Sequence, residues 1–367
     1  MVEHNQVNSD IKQETNVEVK QKKYRKVLSK RLLFIVVSVV LLIVVAGVAL
    51  SLGSADMSFL DAYSAVFARF FPAWFNVTPL ADTVVWTLRL PRILLAIGAG
   101  AVLAICGCST QVVLHNPIAT PYTLGVSAGA GLGAAIGIIL GHGLLSGTAD
   151  FSIIGNAFIF SLIPLVVILL LVKRRGALSE TMILAGIAMV YIFNACTTIL
   201  QYFADSNAVA ATVFWLVGDL SRAAWYQLPY VFGVLILCLG VNLWLAWDVN
   251  VMKMGDDTAK SLGVEVDRTR RISLVVACLS TATVVAFTGA IGFICLVAPH
   301  ICRAFVGSDH KTLIVSSALM GATLLLVADI FARQLLAPIV LPVGAITAFL
   351  GGPLLLYLLI KRKSSRQ

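Results

Sequence analysis

The chain has 367 residues, 59% of them hydrophobic and only 12% charged, with a formal net charge of +9 at pH 7. A soluble domain carries about 25% charged residues, so a soluble globular protein is excluded and a polytopic membrane protein remains. The basic residues sit at the ends of apolar runs, not on one surface or between aromatics, so the charge is no nucleic-acid footprint.

Residues 1–31 carry eight Lys/Arg and little apolar content. They read as a flexible basic tail on the cytoplasmic side, gaining helix near Tyr24 to Arg31. The first apolar run, Leu32 to Leu50, lies too far along for a cleaved leader and reads as an uncleaved span. Crossing hydrocarbon takes about 20 apolar residues, and backbone in lipid must be satisfied internally, which favours helices. Spans are expected at 32–52, 92–114, 120–140, 152–172, 179–203, 228–247, 271–288, 290–306, 312–332 and 341–360. The eighth is the weakest, since Pro299 and His300 interrupt it. The expected fold is therefore an all-α polytopic membrane protein of ten transmembrane helices. A membrane domain fills 32–361, and 362–367 form a cytoplasmic end.

With the N-terminus inside, the inner segments hold 22 of the 27 Lys/Arg, which is the asymmetry expected of cytoplasmic loops. An even span count puts both termini in the cytoplasm. Five arginines fall outside: Arg69, Arg89, Arg92, Arg222 and Arg333. They could snorkel to headgroups or bind an acidic partner, and composition leaves both open. The outer segment 54–88 is rich in aromatics, among them Phe59, Phe70, Trp74 and Trp86, and predicts an interfacial helix. Residues 204–227 predict a second outer helix at the membrane surface, with Gly218-Asp219 as a stop.

The stretch from Arg89 to Gly141 has no acidic residue, and small residues crowd both sides of an Asn116-Pro117 turn. Spans rich in Gly, Ala and Ser pack against other protein. Gly129 to Gly137 reads GAGLGAAIG; no strand precedes it, so Gly133 and Gly137 read as a small-xxx-small packing pair, not a dinucleotide turn. The inner loop 248–271 predicts a short helix after Gly255, with Asp256 able to cap its start and Gly263 at the C′ position. Ala259, Leu262 and Val264 give it one small apolar side. Such a helix suits another protein's groove, though a plain surface loop is the alternative.

No G-x-x-x-x-G-K-[ST] phosphate loop occurs. The seven cysteines lie in or beside apolar spans, and Cys106 and Cys108 point to nearly opposite faces, a poor metal pair. Ionisable residues in the spans are few: Glu180, Asp329 and Arg333, the last two spaced for an intrahelical pair. There is no nucleophile–base set and no metal-ligand spacing, so no catalytic residue, metal or cofactor is expected, and the chain is not itself an enzyme. A solo ion-coupled secondary transporter would show more polar machinery at the midplane.

Taken in order, RLPR (89–92), NPIATP (116–121), LGVSAGAG (124–131), LAG (184–186), WLVGDL (215–220), MGDDTAKSLGV (254–264), GAIGFICLVAPHICR (289–303), GSDHKTL (307–313), ADIFAR (328–333) and PVGAITAFLGGPLLLYLL (342–359) resemble the permeases of the iron-siderophore, haem and cobalamin uptake family, the type II ABC importers. The likeness covers residues 50 to 360. It implies a multi-pass permease subunit of an ATP-driven importer in the bacterial cytoplasmic membrane, with ten spans and surrounding lipid. The implied partners are a second permease copy or paralogue, two separate ATP-binding subunits that hydrolyse the ATP, and an extracytoplasmic binding protein. The implied cargo is a ferric-siderophore-type chelate, with haem or cobalamin as alternatives. By position, Arg89, Arg92 and Arg333 match the family's docking sites for acidic residues of the binding protein. Asn116, Ile118, Ser179 and Glu180 match the cytoplasmic gate, although Glu180 departs from the family's small neutral residue. Gly255, Asp256, Ala259, Leu262 and Gly263 match the coupling helix that rests on the ATPase. No role is assigned to Cys106, Cys108 or His115.

Overall fold

The structure is a computed structural model that describes residues 28–53, 58–75, 77–141, 149–175 and 178–364. The expected flexible tail thus lies largely outside the described residues. Its last residues are helical, because helix α1 runs Leu28–Ser51. The other helices are α2 (Phe59–Ala68), α3 (Pro79–Thr83), α4 (Leu90–Val113), α5 (Val126–Leu140), α6 (Ala149–Arg175), α7 (Ser179–Tyr202), α8 (Ser206–Val217), α9 (Leu228–Trp244), α10 (Ala246–Met252), α11 (Asp256–Ser261), α12 (Val266–Thr288), α13 (Ile294–Val306), α14 (His310–Gln334) and α15 (Val343–Ser364). A π-helical turn, Val84–Arg89, joins α3 to α4. Among the described residues no strand forms, only an isolated bridge between Leu336 and Ile339.

Among the described residues seven helices are long and apolar enough to cross a membrane: α1, the continuous α3–α4, α6, α7, α9, α12 and α14. Each coincides with an expected span. The expected spans 120–140 and 290–306 are different. Their helices have 15 and 13 residues, about 20 Å at 1.5 Å per residue, against about 30 Å of hydrocarbon. Each is preceded by irregular backbone, 114–125 and 289–293. Such backbone survives at membrane depth only when buried in protein or lining a cavity.

Helix α4 is the hub. Its most apolar stretch is 89% buried, against 11% for α1, whose side chains face outward. It packs against α9, α12, α13 and α14. Glycines permit this: a Cβ on Gly100 would collide with the Gly321 carbonyl of α14, and one on Gly107 with the Cys295 carbonyl of α13. Likewise Gly129, Gly133 and Gly137 set α5 against the backbone of α6 at Phe160, Asn156 and Ile153, the packing that their spacing predicts.

The outer segment forms α2, started by a capping box between Ser58 and Asp61. Trp86 ties it down, donating Nε1–H to the Ala65 carbonyl at 2.9 Å. The second outer helix, α8, is capped by Asp205 but does not simply lie at a surface: Thr212 and Trp215 are buried, and α8 packs on α5 and α15.

Candidate functional site

At the end of the bundle expected to face outward, the last carbonyls of α1 have no intrahelical donor. Arginines from two other helices supply them. Arg89 donates from Nη1 to Leu50 O at 2.7 Å and Ser51 O at 3.0 Å. Arg333 donates to Leu52 O at 2.6 Å and Ala49 O at 3.3 Å. A helix C-terminus also favours positive charge electrostatically. Asp329, fully buried, then accepts from Arg92 Nε at 2.7 Å and Arg333 Nε at 3.0 Å. Arg92 reaches Ser221 Oγ at 3.0 Å as well, and its buried Nη2 has no partner.

The three arginines expected to dock a binding protein therefore sit together, but turned inward. Arg89 is 5% exposed and Arg333 9%. The exposed outer arginines are Arg69, stacked 4.9 Å over the Trp86 ring, and Arg222. Two of these cations, Arg92 and Arg333, share the one carboxylate of Asp329. The intrahelical Asp329–Arg333 pair is present as its spacing predicts; the third partner, Arg92, comes from 237 residues away.

Two cavities lie along the bundle. The outer one, about 880 Å³, is lined by Trp215, Asp219, Arg222, Tyr226, Phe287 and Thr288 among others. The second, about 490 Å³, is lined by Tyr122, Ser127, Asn194, Val217, Ala290 and Phe293. The last turn of α8 forms the wall between them, with Trp215 facing one and Leu216 and Val217 the other. Both irregular stretches that precede the short helices contribute to the second cavity, which explains their tolerance at that depth. Tyr122 braces them by donating its hydroxyl to Ile291 O at 2.9 Å.

At the opposite end, expected to face inward, Asn116 Oδ1 accepts from Ile118 N at 3.0 Å, an Asx-type turn that leaves Ile118 54% exposed. Ser179 and Glu180 open the first turn of α7, with Glu180 exposed. The expected short helix in the 248–271 loop is α11. Its end is a full Schellman motif: Gly263 N donates to Lys260 O, Val264 N donates to Ala259 O, and Gly263 has φ 84°. Ala259, Val264 and Val266 are buried together with Met252, while Leu262 is 56% exposed and Met254 71%.

One expectation at this end is corrected. Gly255, not Asp256, takes the N-cap position, with φ 108°. The Asp256 carboxylate instead accepts two bonds of 2.9 Å from Arg270 Nη2. Arg270 is 2% exposed and also donates from Nε to Val113 O at 2.9 Å. His115 Nε2 lies 2.9 Å from Met252 O and 3.9 Å from Asp256 Oδ1. Arg270 and His115 are the functional candidates that sequence reasoning missed. A signal existed for the first: Val266, Arg270, Ser273, Leu274 and Ala277 share one helix face, all of it buried, whereas the run RTRR reads as uniform inner charge. Among the described residues no cluster of His, Cys, Asp or Glu could hold a metal ion, and all seven cysteines are free.

The sequence profile of the FecCD transport family matches residues 40–361. The chain belongs to the FecCD transport family. Among relatives in this family, the Methanocaldococcus jannaschii protein MJ0087, provisionally named an ABC transporter permease, is 49% identical over 287 residues, covering 76% of this chain and 82% of its own. The hemin transport system permease protein HmuU of Yersinia pestis is 36% identical over 320 residues, covering 87% of this chain and 94% of its own. A solved transporter, provisionally described as of metal-chelate ABC type and inward-facing, superposes with a TM-score of 0.78 at 28% identity, covering 89% of this chain and 98% of that one. This FecCD-family chain is thus a multi-pass ABC permease with a polytopic helical fold, and the helices described above are the membrane-embedded part of such a machine.

Proposed function

We propose that the chain is the membrane subunit of an ATP-driven importer that carries a ferric-siderophore-type chelate from an extracytoplasmic binding protein into the cytoplasm. On this reading α5, α13 and α15 join the seven long helices to complete ten crossings, and both termini lie in the cytoplasm. Two copies, or this chain and a paralogue, surround the path, with the second cavity and its small residues on that path. Two ATP-hydrolysing subunits bind beneath. The observation that carries the reading is α11: a capped helix of six residues, with exposed Met254 and Leu262 beside it, on a chain that has no nucleotide site of its own.

The solo ion-coupled carrier is disfavoured by one fact. Among the described residues Asp329 is the one fully buried carboxylate, and two arginines already hold it, so no free buried acid is left among them to bind a coupling ion. Haem is the second reading for cargo, favoured by the likeness to HmuU.

The outer cluster is the docking ground in this proposal. The arginines present their charge to an acidic partner as a held group, rather than as free side chains. Arg92, with its side chain 12% exposed, is the most open of them. Its replacement, Arg92→Gln, assayed on the folded fraction, lowers the ratio of binding-protein-stimulated to unstimulated ATPase activity about tenfold; an unchanged ratio would remove Arg92 from docking. Asn116, Ile118, Ser179 and Glu180 form the inner gate, and Gly255, Asp256, Ala259, Leu262 and Gly263 the coupling helix. The test of the whole is uptake into proteoliposomes of radio-iron ferrichrome, haemin and cyanocobalamin, each with its binding protein, in the presence and absence of the ATPase. ATP-dependent uptake of ferrichrome is expected, and uptake without the ATPase refutes the proposal.

A further inference from the structure

Val113 closes α4, so its carbonyl is among those that the helix cannot satisfy. The donor comes from α12. Arg270 places Nε on Val113 O at 2.9 Å and Nη2 on both Asp256 oxygens at 2.9 Å. The guanidinium is planar and rigid, so a single fork fixes the distance between the end of α4 and the first residue of α11. A second link runs beside it. His115, two residues after Val113, lies 2.9 Å from Met252 O and 3.9 Å from Asp256. His115 also takes φ 50°, a left-handed conformation that a non-glycine residue holds only when its surroundings over-determine it. The next residue is Asn116, which opens the Asx turn to Ile118.

We infer that Arg270 and His115 are the positioning residues that pass displacement of α11 to the inner turn at Asn116–Ile118. The inference rests on the proposed ATP-driven mechanism and adds the physical connection to it. The six-residue helix has exposed Met254 and Leu262 beside it. Its buried side meets the body of the protein through Asp256 and the small apolar group around Ala259. Any shift imposed from below must pull on the fork. The fork ends on the last turn of α4, and the turn at 116–118 hangs from that end. Neither residue touches cargo; each acts through the backbone it holds. Met252 O already accepts from Gly255 N at 3.1 Å, so the His115 contact reaches the hinge of α11 rather than a loose carbonyl.

The test uses the permease assembled with its ATPase in lipid nanodiscs and needs no cargo. In a Cys196→Ser background, which removes the exposed cysteine, a nitroxide is placed at Lys260→Cys or at Ile118→Cys. Electron paramagnetic resonance then reads the change in mobility when ATP and vanadate are trapped. In the parent both labels respond. In Arg270→Lys, which keeps the charge and loses the fork, the label at 260 responds as before and the response at 118 falls at least fivefold. Asp256→Asn gives the same pattern, and His115→Ala a smaller loss of about twofold. A full response at 118 in both Arg270→Lys and Asp256→Asn overturns the relay. So does loss of the response at both labels, because the fork would then only seat α11. A parent that responds at neither position overturns the ATP-driven reading itself, and the relay with it.

Discussion

Both ends of this bundle cap a helix terminus with arginine and hold that arginine with aspartate, yet the two clusters are built for opposite ends. The outer cluster sets two arginines, from α4 and α14, on Asp329, which has no exposure at all, and adds Arg89 of the π-helical turn on the end of α1. Every member is an arginine or a buried carboxylate, and each arginine is also tied to the C-terminus of α1 or to Ser221. The inner cluster has one arginine, and its partner Asp256 is 36% exposed on a helix of six residues. Over-determination makes the first rigid. An arginine fork and a histidine contact on so short a helix make the second a joint. On the proposed function, the rigid end receives the binding protein and the jointed end is moved by the ATPase.

The comparison is broken most directly at Asp329. Removing one partner of a buried ion pair leaves uncompensated charge in the interior and costs about 3–5 kcal/mol. Asp329→Asn should therefore lower the thermal midpoint of the purified permease by many degrees. Asp256→Asn, which strips a half-exposed partner, should shift it far less. Equal shifts would mean that the inner fork is as structural as the outer cluster.

Glycines sharpen the contrast at a smaller scale. Gly100 in α4 has no room, since a Cβ would strike the Gly321 carbonyl. Overpacking of this kind costs about 1–3 kcal/mol, and Gly100→Ala should destabilise the whole fold. Gly263 has ample room, with nothing near its absent Cβ, but holds φ 84°. An alanine there costs about 1–2 kcal/mol in backbone conformation. Gly263→Ala should leave the global midpoint within a degree or two and raise amide exchange in 256–264. Global destabilisation by Gly263→Ala would show that α11 is welded to the bundle.

These effects also mark what the sequence could disclose. Spans such as 228–247 and 312–332 were legible because a continuous apolar run of 20 or more residues has one stable form in lipid. The weakness of the span at 290–306 was legible from Pro299 and His300, but the shortness of α5 was not, because hydropathy records composition and is blind to where the backbone turns. Pro117, Pro121 and the left-handed Gly289 and Phe293 set those turns. The Schellman end of α11 was legible from Gly263 alone, since its signal is local. Asp256 was misassigned as a cap because its true partner, Arg270, is 14 residues away and sits within a run of like charges. Arg89, Arg92 and Arg333 were correctly grouped at one end; their inward orientation depends on α1 carbonyls and on Asp329, contacts that no local pattern encodes.

The smallest predicted effect isolates the softness of the inner end. Lys253 lies between α10 and α11, donates to Asn250 Oδ1 at 2.9 Å, and also reaches the Ser308 carbonyl. Burial pulls its pKa from 10.5 down to about 8, with Cys108 and Asp309 opposing the shift and Arg303 reinforcing it. A folded-state value below the unfolded one means that the folded protein releases this proton first as pH rises. Between about 8 and 10.5 the unfolded chain therefore holds more protons, and stability contributed by this site rises with pH through that window. Lys253→Met should flatten the slope of stability against pH from 8 to 10, measured by denaturant midpoints, while the other lysines titrate alike in both proteins and cancel. Identical slopes would show that Lys253 is not held in this strained charged state. The outer cluster has no such freedom, because an arginine does not give up its proton in a protein. A lysine close to neutralisation at the base of α11 leaves the joint adjustable where the opposite end is permanently charged.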